Sequence, residues 1–337
     1  MKICVFCLLL LVSVNIRAQV LGEKVNAIFI DEYNRLWLGT DNGLVVETGS
    51  SYKAFYTNPD VPGTVTDIKP QNTHEGRIIW VGTTKGLCRV EYTEESVTSC
   101  TFFGKEETNL TSDSVNAIAF DKNNTGVFAT PSSVGVLEKK VWRNFTELPD
   151  VYDNHFTSAN VKGDTVYIGT KGEGVGRLVN SVDGYTGASS LVRPWSSLVS
   201  DNITCIFIDS KGNRWYGTDK GLSRHSKNDA KQGWDFSLTV KLPDSYTTCM
   251  AEDKSGNLWI GTRGGMVVLN PSLEIKIIYT ISDGLLSNVI NAVAVDKEGT
   301  IWAGTDSGVT QFRDGVVSNI KISDQATNFI NLLNLEQ

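Results

Sequence analysis

One short phrase recurs along the 337 residues. It reads RLWLGT (35–40), IIWVGT (78–83), GVFAT (126–130), TVYIGT (165–170), NRWYGT (213–218), NLWIGT (257–262) and TIWAGT (300–305). Its threonines stand 43, 47, 40, 48, 44 and 43 residues apart. Unrelated segments do not keep such a register, and a period of this length marks a repeat architecture.

Each copy carries the same neighbours. Upstream lies a short apolar strand, as in VNAIFID (25–31), VNAIAFD (115–121), ITCIFID (203–209), TTCMAED (247–253) and INAVAVD (290–296). A tight turn such as DSKGNRW follows, and its glycine supplies the positive φ that such a turn needs. A second turn, such as TDNGL (40–44) or TDKGL (218–222), leads to a third strand and then a fourth, such as YKAFYT (52–57) or EIKIIYT (274–280). The unit is therefore four short strands, A to D, joined by hairpins. A lone four-stranded meander leaves both faces bare, whereas seven arranged radially cover one another. The expected fold is all-β, a seven-bladed propeller of four-stranded antiparallel blades. Trp37, Trp80, Phe128, Tyr167, Trp215, Trp259 and Trp302 are expected at one equivalent place, as wedges between blades. Asp31, Asp121, Asp209, Asp253 and Asp296 end strand A and are expected to cap turns.

These residues resemble the two-component-regulator propeller family, whose signature reads approximately N-x-V-x-x-I-x-x-D-x-x-G-x-[LI]-W-[IV]-G-T-x-x-G-[LV]. The likeness is closest at 288–309, NVINAVAVDKEGTIWAGTDSGV, and at 202–222, NITCIFIDSKGNRWYGTDKGL. Blades 2, 3 and 4 depart from it. Blade 2 has IKPQNTHEG (68–76) in place of the strand-A aspartate, blade 3 lacks the glycine before Thr130, and blade 4 shortens its first turn to VKGDT (161–165). The resemblance implies an extracytoplasmic sensor propeller of the kind fused to bacterial hybrid histidine kinases, many of them similar to sensors of polysaccharide breakdown products. No kinase or membrane segment follows residue 323 in this sequence. An extracellular binding role is therefore expected, rather than signalling by this chain itself.

Residues 1–18 read as a secretory signal peptide: Lys2, then the apolar run ICVFCLLLLVSV, then a small residue at Ala18. The run is too short for an ordinary membrane span. The expected organisation is signal peptide 1–18, propeller 19–323 and C-terminal tail 324–337, with a periplasmic or secreted location and no membrane insertion. With residues 1–18 removed, 29 basic residues face 38 acidic ones, a net charge near −9. No basic run of the kind that nucleic acid requires is present, so nucleic acid is not an expected partner.

In a propeller the B–C loops and the entrances to strand A emerge together at one mouth of the channel. The B–C loops offer Asp41, Asn42, Lys85, Lys171, Glu173, Asp219, Lys220, Arg263 and Asp306. The entrances offer Asn26, Asn116, His155, Asn202, Thr248 and Asn291, and the connection between blades 4 and 5 adds Arg193 and Trp195. Planar aromatic, amide and charged groups suit an oligosaccharide or a peptide or protein ligand. Trp195 is expected to stack on the ligand, and Lys220 and Arg263 to anchor an acidic group. A partner in an outer-membrane or signalling assembly also fits.

His74, His155 and His225 fall in non-equivalent loops, and no catalytic or metal-binding motif is present, so no catalytic residue, metal or cofactor is expected. The alternative is a propeller enzyme, a lyase or hydrolase, because streptogramin-type lyases also have seven blades with short repeats. Cys205 and Cys249 replace Ala27, Ala117 and Ala292 of other blades and are expected as buried, unpaired thiols. Cys88 and Cys100 flank the C–D hairpin of blade 2, about one residue out of direct register, and a disulfide between them is left open. Blades 1 and 7 are expected to meet by face packing, with no exchanged strand.

Overall fold

Strand A is short, rich in β-branched residues and almost free of charge, and so suits a strand covered by blades on both sides. The computed structural model describes residues 24–321 except 49–50, 57–60, 73–76, 150, 153–154, 182–183, 192–197, 227–233 and 239–240. Residues 1–18, the tail 324–337, His74, Arg193 and Trp195 lie outside the described residues. Seven four-stranded antiparallel sheets span 25–56, 65–103, 117–145, 156–191, 203–238, 247–279 and 290–320, each with its strands in chain order. These are blades 1 to 7. Among the described residues, helix is limited to single turns at Lys105–Thr108 and Ile281–Asp283, in the connections that lead to blades 3 and 7.

The Gly-Thr phrase is where one blade meets the next. A Cβ on Gly39 would lie 2.3 Å from Cγ1 of Val65, the first residue of strand A in blade 2. At the point of ring closure, a Cβ on Gly304 of blade 7 would lie 2.7 Å from Cγ1 of Val25. Only a missing side chain admits so close an approach.

The second residue of strand A fastens the same seam. In six blades it sits at a register shift between strands A and B, a bulge that re-aims its side chain. Thr66 donates to Val115 O, Asn116 to Phe156 O, Thr157 to Ile203 O, Thr204 to Thr247 O and Thr248 to Ile290 O. Each bond runs from one blade to the first strand-A residue of the next or, for Val115, to the residue two before that strand. The two remaining seams differ. Asn291 turns its amide to Asp306 Oδ1 of its own blade at 2.9 Å. The Nδ2 of Asn26 is buried without a hydrogen-bond partner.

The wedges are as expected in six blades. Trp37 packs among Val61, Val65 and Ile79 of blade 2 and its entrance, and Trp215 among Met250 and Ile260 of blade 6. Blade 3 requires a correction. Its Phe128 stands two residues before Thr130, whereas Trp37 and Trp215 stand three before their threonines. Val127 therefore occupies the wedge position and faces blade 4. Phe128 points to the other face and meets Trp80 of blade 2 at 5.3 Å between ring centroids. The B strands of blades 2 and 3 thus both send an aromatic ring into the seam between them, and the wedge position of blade 3 sends none into the next.

Blades 1 and 7 each own four strands, and strand A of blade 1 packs on strands A and B of blade 7 with no ladder between them. Cys205 and Cys249 form no disulfide, as expected, and are half-buried rather than fully buried residues. Burial pushes the Cys249 thiol up to about 12, and burial and the neighbouring Cys249 raise Cys205 as well. Cys88 stands opposite Phe102 and Cys100 opposite Val90, two residues out of register rather than one. A bulge between Glu91 and Tyr92 adds the extra step.

Candidate functional site

The two ends of the channel are built by different rules. At the A–B end, the aspartate that closes strand A clasps the turn that follows it. One oxygen of Asp31, Asp121, Asp253 and Asp296 accepts backbone N–H bonds from the second and fourth residues downstream. The other oxygen takes the indole N–H of the wedge tryptophan, at 2.9 Å for Trp37 and Trp215 and 3.0 Å for Trp259 and Trp302. Six residues separate acid and indole, one hairpin apart on paired strands. Where blade 2 lacks the aspartate, Gln71 Oε1 accepts the Trp80 indole N–H at 2.9 Å. Where blade 3 lacks the indole, Asp121 accepts the Tyr185 hydroxyl of blade 4 at 2.8 Å instead.

A cleft of about 770 Å³ opens at this end among the A–B turns of blades 5, 6, 7 and 1, and one of about 260 Å³ among the strand-A ends of blades 2, 3 and 4. The larger is lined by Asp31, Asp253 and Asp296, which are held in their clasps, and by Glu252, both of whose oxygens accept bonds from Ser210. Its Lys254 and Lys297 donate to Lys297 O and Glu32 O, each on the next blade. Most of the polar lining is thus engaged in holding neighbouring turns together.

At the B–C end, the threonine of the repeat staples its own loop. Its Oγ1 donates to a carbonyl three or four residues on, from Thr40 to Gly43 through to Thr305 to Gly308, in all seven blades. The same oxygen accepts a loop N–H, including those of Asn42, Lys85, Glu173 and Lys220. The loop then ties to the entrance of strand A: Lys171 N donates to His155 O, Asp219 N to Asn202 O and Arg263 N to Tyr246 O. Connections between blades join in, with Thr64 Oγ1 donating to Asp41 O and Ser245 Oγ to Asp219 O. Backbone is engaged throughout, and the loop side chains are what this rim displays.

The expected site residues gather here in unequal states. Asp41, Lys85, Lys171, Lys220, Arg263, Asp306 and His155 are exposed, and Glu173 is half-buried. Asp306 meets Lys24 at 3.2 Å as well as the Asn291 amide. Asn202 donates to Asp219 Oδ2 at 3.2 Å, while Asp219 Oδ1 is buried without a partner. Asn116 and Thr248 belong to the blade-to-blade fastening described above. Tyr246, which the sequence does not single out, lies beneath Arg263, with the guanidinium carbon 3.5 Å from the ring centroid. Its only sequence signal is an aromatic residue immediately before strand A. Among the described residues, no group of three or more His, Cys, Asp or Glu side chains is placed to hold a metal ion, and no helix is long and apolar enough to cross a membrane.

Residues 19–42, 241–264 and 284–307 match the family described as two component regulator propeller. The chain carries two-component-regulator propeller repeats. The three matched segments cover the A–B hairpins of blades 1, 6 and 7, each ending in the B–C loop. No curated protein matches the sequence. Among solved structures, this propeller is similar to the extracellular domain of the putative hybrid two component system BT3049 from B. thetaiotaomicron, with 19% identity and a TM-score of 0.70, over 88% of this chain and 40% of that one. It is similar to PorZ, a bacterial surface component of the type-IX secretion system of Porphyromonas gingivalis, with 18% identity and a TM-score of 0.68, over 86% of this chain and 46% of that one. The chain thus spans less than half the length of either. Virginiamycin B lyase from Staphylococcus aureus aligns over 86% of this chain and 94% of its own, with 14% identity and a TM-score of 0.65. At these identities the likenesses speak for the fold.

Proposed function

We propose that this propeller is an extracytoplasmic, non-catalytic binding module of sensor type, which takes an oligosaccharide or an extended peptide segment of a partner at the B–C mouth. The observation that carries this reading is the contrast within one rim. Every B–C loop has its backbone fixed by the same threonine staple, yet the two residues after that threonine differ from blade to blade: Asp-Asn, Thr-Lys, Pro-Ser, Lys-Gly, Asp-Lys, Arg-Gly and Asp-Ser. A rigid scaffold that displays variable side chains is where binding is usually placed. Similar folds in an extracellular two-component domain and in a secretion-system surface component support a place in an outer-membrane or signalling assembly.

The test is a glycan and peptide array probed with the full chain and with Trp195→Ala. Loss of a stacking aromatic is expected to weaken binding by about 1–3 kcal/mol, by analogy with base stacking. A bound ligand that is unaffected by Trp195→Ala and by alanine at the B–C loops would place the site elsewhere. The near-equal length of the virginiamycin B lyase match supports a second reading, a propeller lyase. Incubation with quinupristin, followed by mass spectrometry for a ring-opened product, tests it.

A further inference from the structure

The mouth holds three cations that make no ion pair among the described residues. Lys171, Lys220 and Arg263 occupy the B–C loops of three consecutive blades, all exposed. The whole chain nevertheless has a net charge of −7. The acids around them are partly engaged: Asp219 accepts the Asn202 amide, and Asp244 Oδ1 accepts Tyr246 N at 2.7 Å. Glu173, beside Lys171, is half-buried, as are Asp201, Asp219 and Asp244.

Arg263 is also held in place. Its guanidinium lies over the Tyr246 ring, and its backbone N–H bonds Tyr246 O at 3.3 Å. Tyr246 is fixed in turn by Asp244, and Ser245 ties the same connection to the loop that carries Lys220. Gly264 completes the seat, since a Cβ there would lie 2.7 Å from Pro243 O. A guanidinium stacked on a ring keeps its in-plane N–H donors available at its edge, in the fork that matches a carboxylate. None of those donors has a protein acceptor among the described residues.

We propose that Arg263, seated on Tyr246 and assisted by Lys220, forms a carboxylate-binding subsite at the mouth between blades 5 and 6. The subsite rests on the mouth reading and narrows it to ligands that bear a carboxylate. That group comes from a uronate sugar or from the free C-terminus of a peptide. Tyr246 is a positioning residue that acts through Arg263.

The experiment is titration of the full chain with four probes: oligogalacturonate, its methyl ester, and short peptides with free and with amidated C-termini. One carboxylate probe is expected to bind, and blocking its carboxylate to weaken binding about tenfold or more. The blocked partner that loses affinity identifies the source. Binding is expected to weaken as salt rises. Arg263→Lys, which keeps the charge but loses the fork, is expected to cost about tenfold with an unchanged melting temperature. Tyr246→Leu is expected to cost less, and Arg263→Lys to cost less in the Tyr246→Leu background than it does alone. Binding that ignores carboxyl blocking and Arg263→Lys, yet is lost in Trp195→Ala, overturns the subsite and leaves the mouth reading standing. Failure of both carboxylate probes also overturns it, and the mouth reading is then decided by the neutral glycans and amidated peptides of the array.

Discussion

The A–B end and the B–C end of the channel use the same ingredients, carboxylates, lysines and tight turns, to opposite ends. At the A–B end a carboxylate recurs at the same place in five blades, and each is tied to its turn. At the B–C end the first loop position holds an aspartate in three blades, a cation in two and a neutral residue in two, and several of these side chains reach solvent. The recurrent acid is an element of the fold. The irregular one is free to be an element of recognition. The two ends should accordingly respond differently to the same substitution.

The largest effect is expected at a clasp. Asp296→Ala leaves two turn N–H groups and the Trp302 indole N–H without their acceptor, and should cost about 3 kcal/mol of stability in urea unfolding. Asp306→Ala, only ten residues on but at the other end, should cost below about 1 kcal/mol, as an exposed pair does. Equal losses would erase the distinction. The clasp also carries a pH signature. Burial works against the Asp253 carboxylate, but bonds from Asn257, Trp259 and the turn outweigh it and lower its pKa from 3.8. Its contribution is complete above the unfolded value and is lost as pH falls through the lower folded one. Asp253→Asn should flatten the acid limb of the stability curve between about pH 5 and 2, read by circular dichroism.

A middle-sized effect is expected at the seams. Gly304→Ala drives a methyl group into Val25 and should cost about 1–3 kcal/mol, with faster unfolding, if ring closure depends on that contact. The smallest effect has the opposite sign. Asn26→Thr gives blade 1 the residue that fastens four other seams, and removes a buried amide donor without a partner. It should stabilise the ring by about 1 kcal/mol, a small rise in melting temperature. No change would mean that the seam between blades 1 and 2 is already closed by packing alone.

Much of this is legible in the sequence, and for physical reasons. Blade number and strand order follow from the period, because each unit repeats the same succession of short strands and tight turns. The capping role of the aspartates is also readable from their place at the end of strand A. What escapes is anything that one residue does across a hairpin or a seam. The aspartate and the tryptophan six residues on are each conspicuous, but not their bond, which exists only once strands A and B pair. Phe128 misleads because an aromatic beside a threonine resembles its counterparts, and only its distance from Thr130 shows that it faces the other way. Gln71 is invisible, since nothing in IKPQN marks a glutamine as the stand-in for an acid. Tyr246 belongs to no repeat, and its meaning comes from Arg263, seventeen residues away, folding back over it.

Self-contained blades also bear on how such a ring changes over generations. Among the described residues no sheet ladder crosses from blade to blade, and six of the seven seams are made from the same few contacts: a bare glycine, the first residue of the next blade over it, and in most of them a short polar side chain beside it. Duplicating one unit of about forty-five residues would therefore insert a whole blade with ready-made contacts on both sides. Joining the ends of the ring and opening it between any other two blades would leave all seven sheets intact. A circular permutant opened in the Ile281–Asp283 connection should fold to the same ring, and ring curvature, rather than chain order, is left to fix how many units the circle accepts.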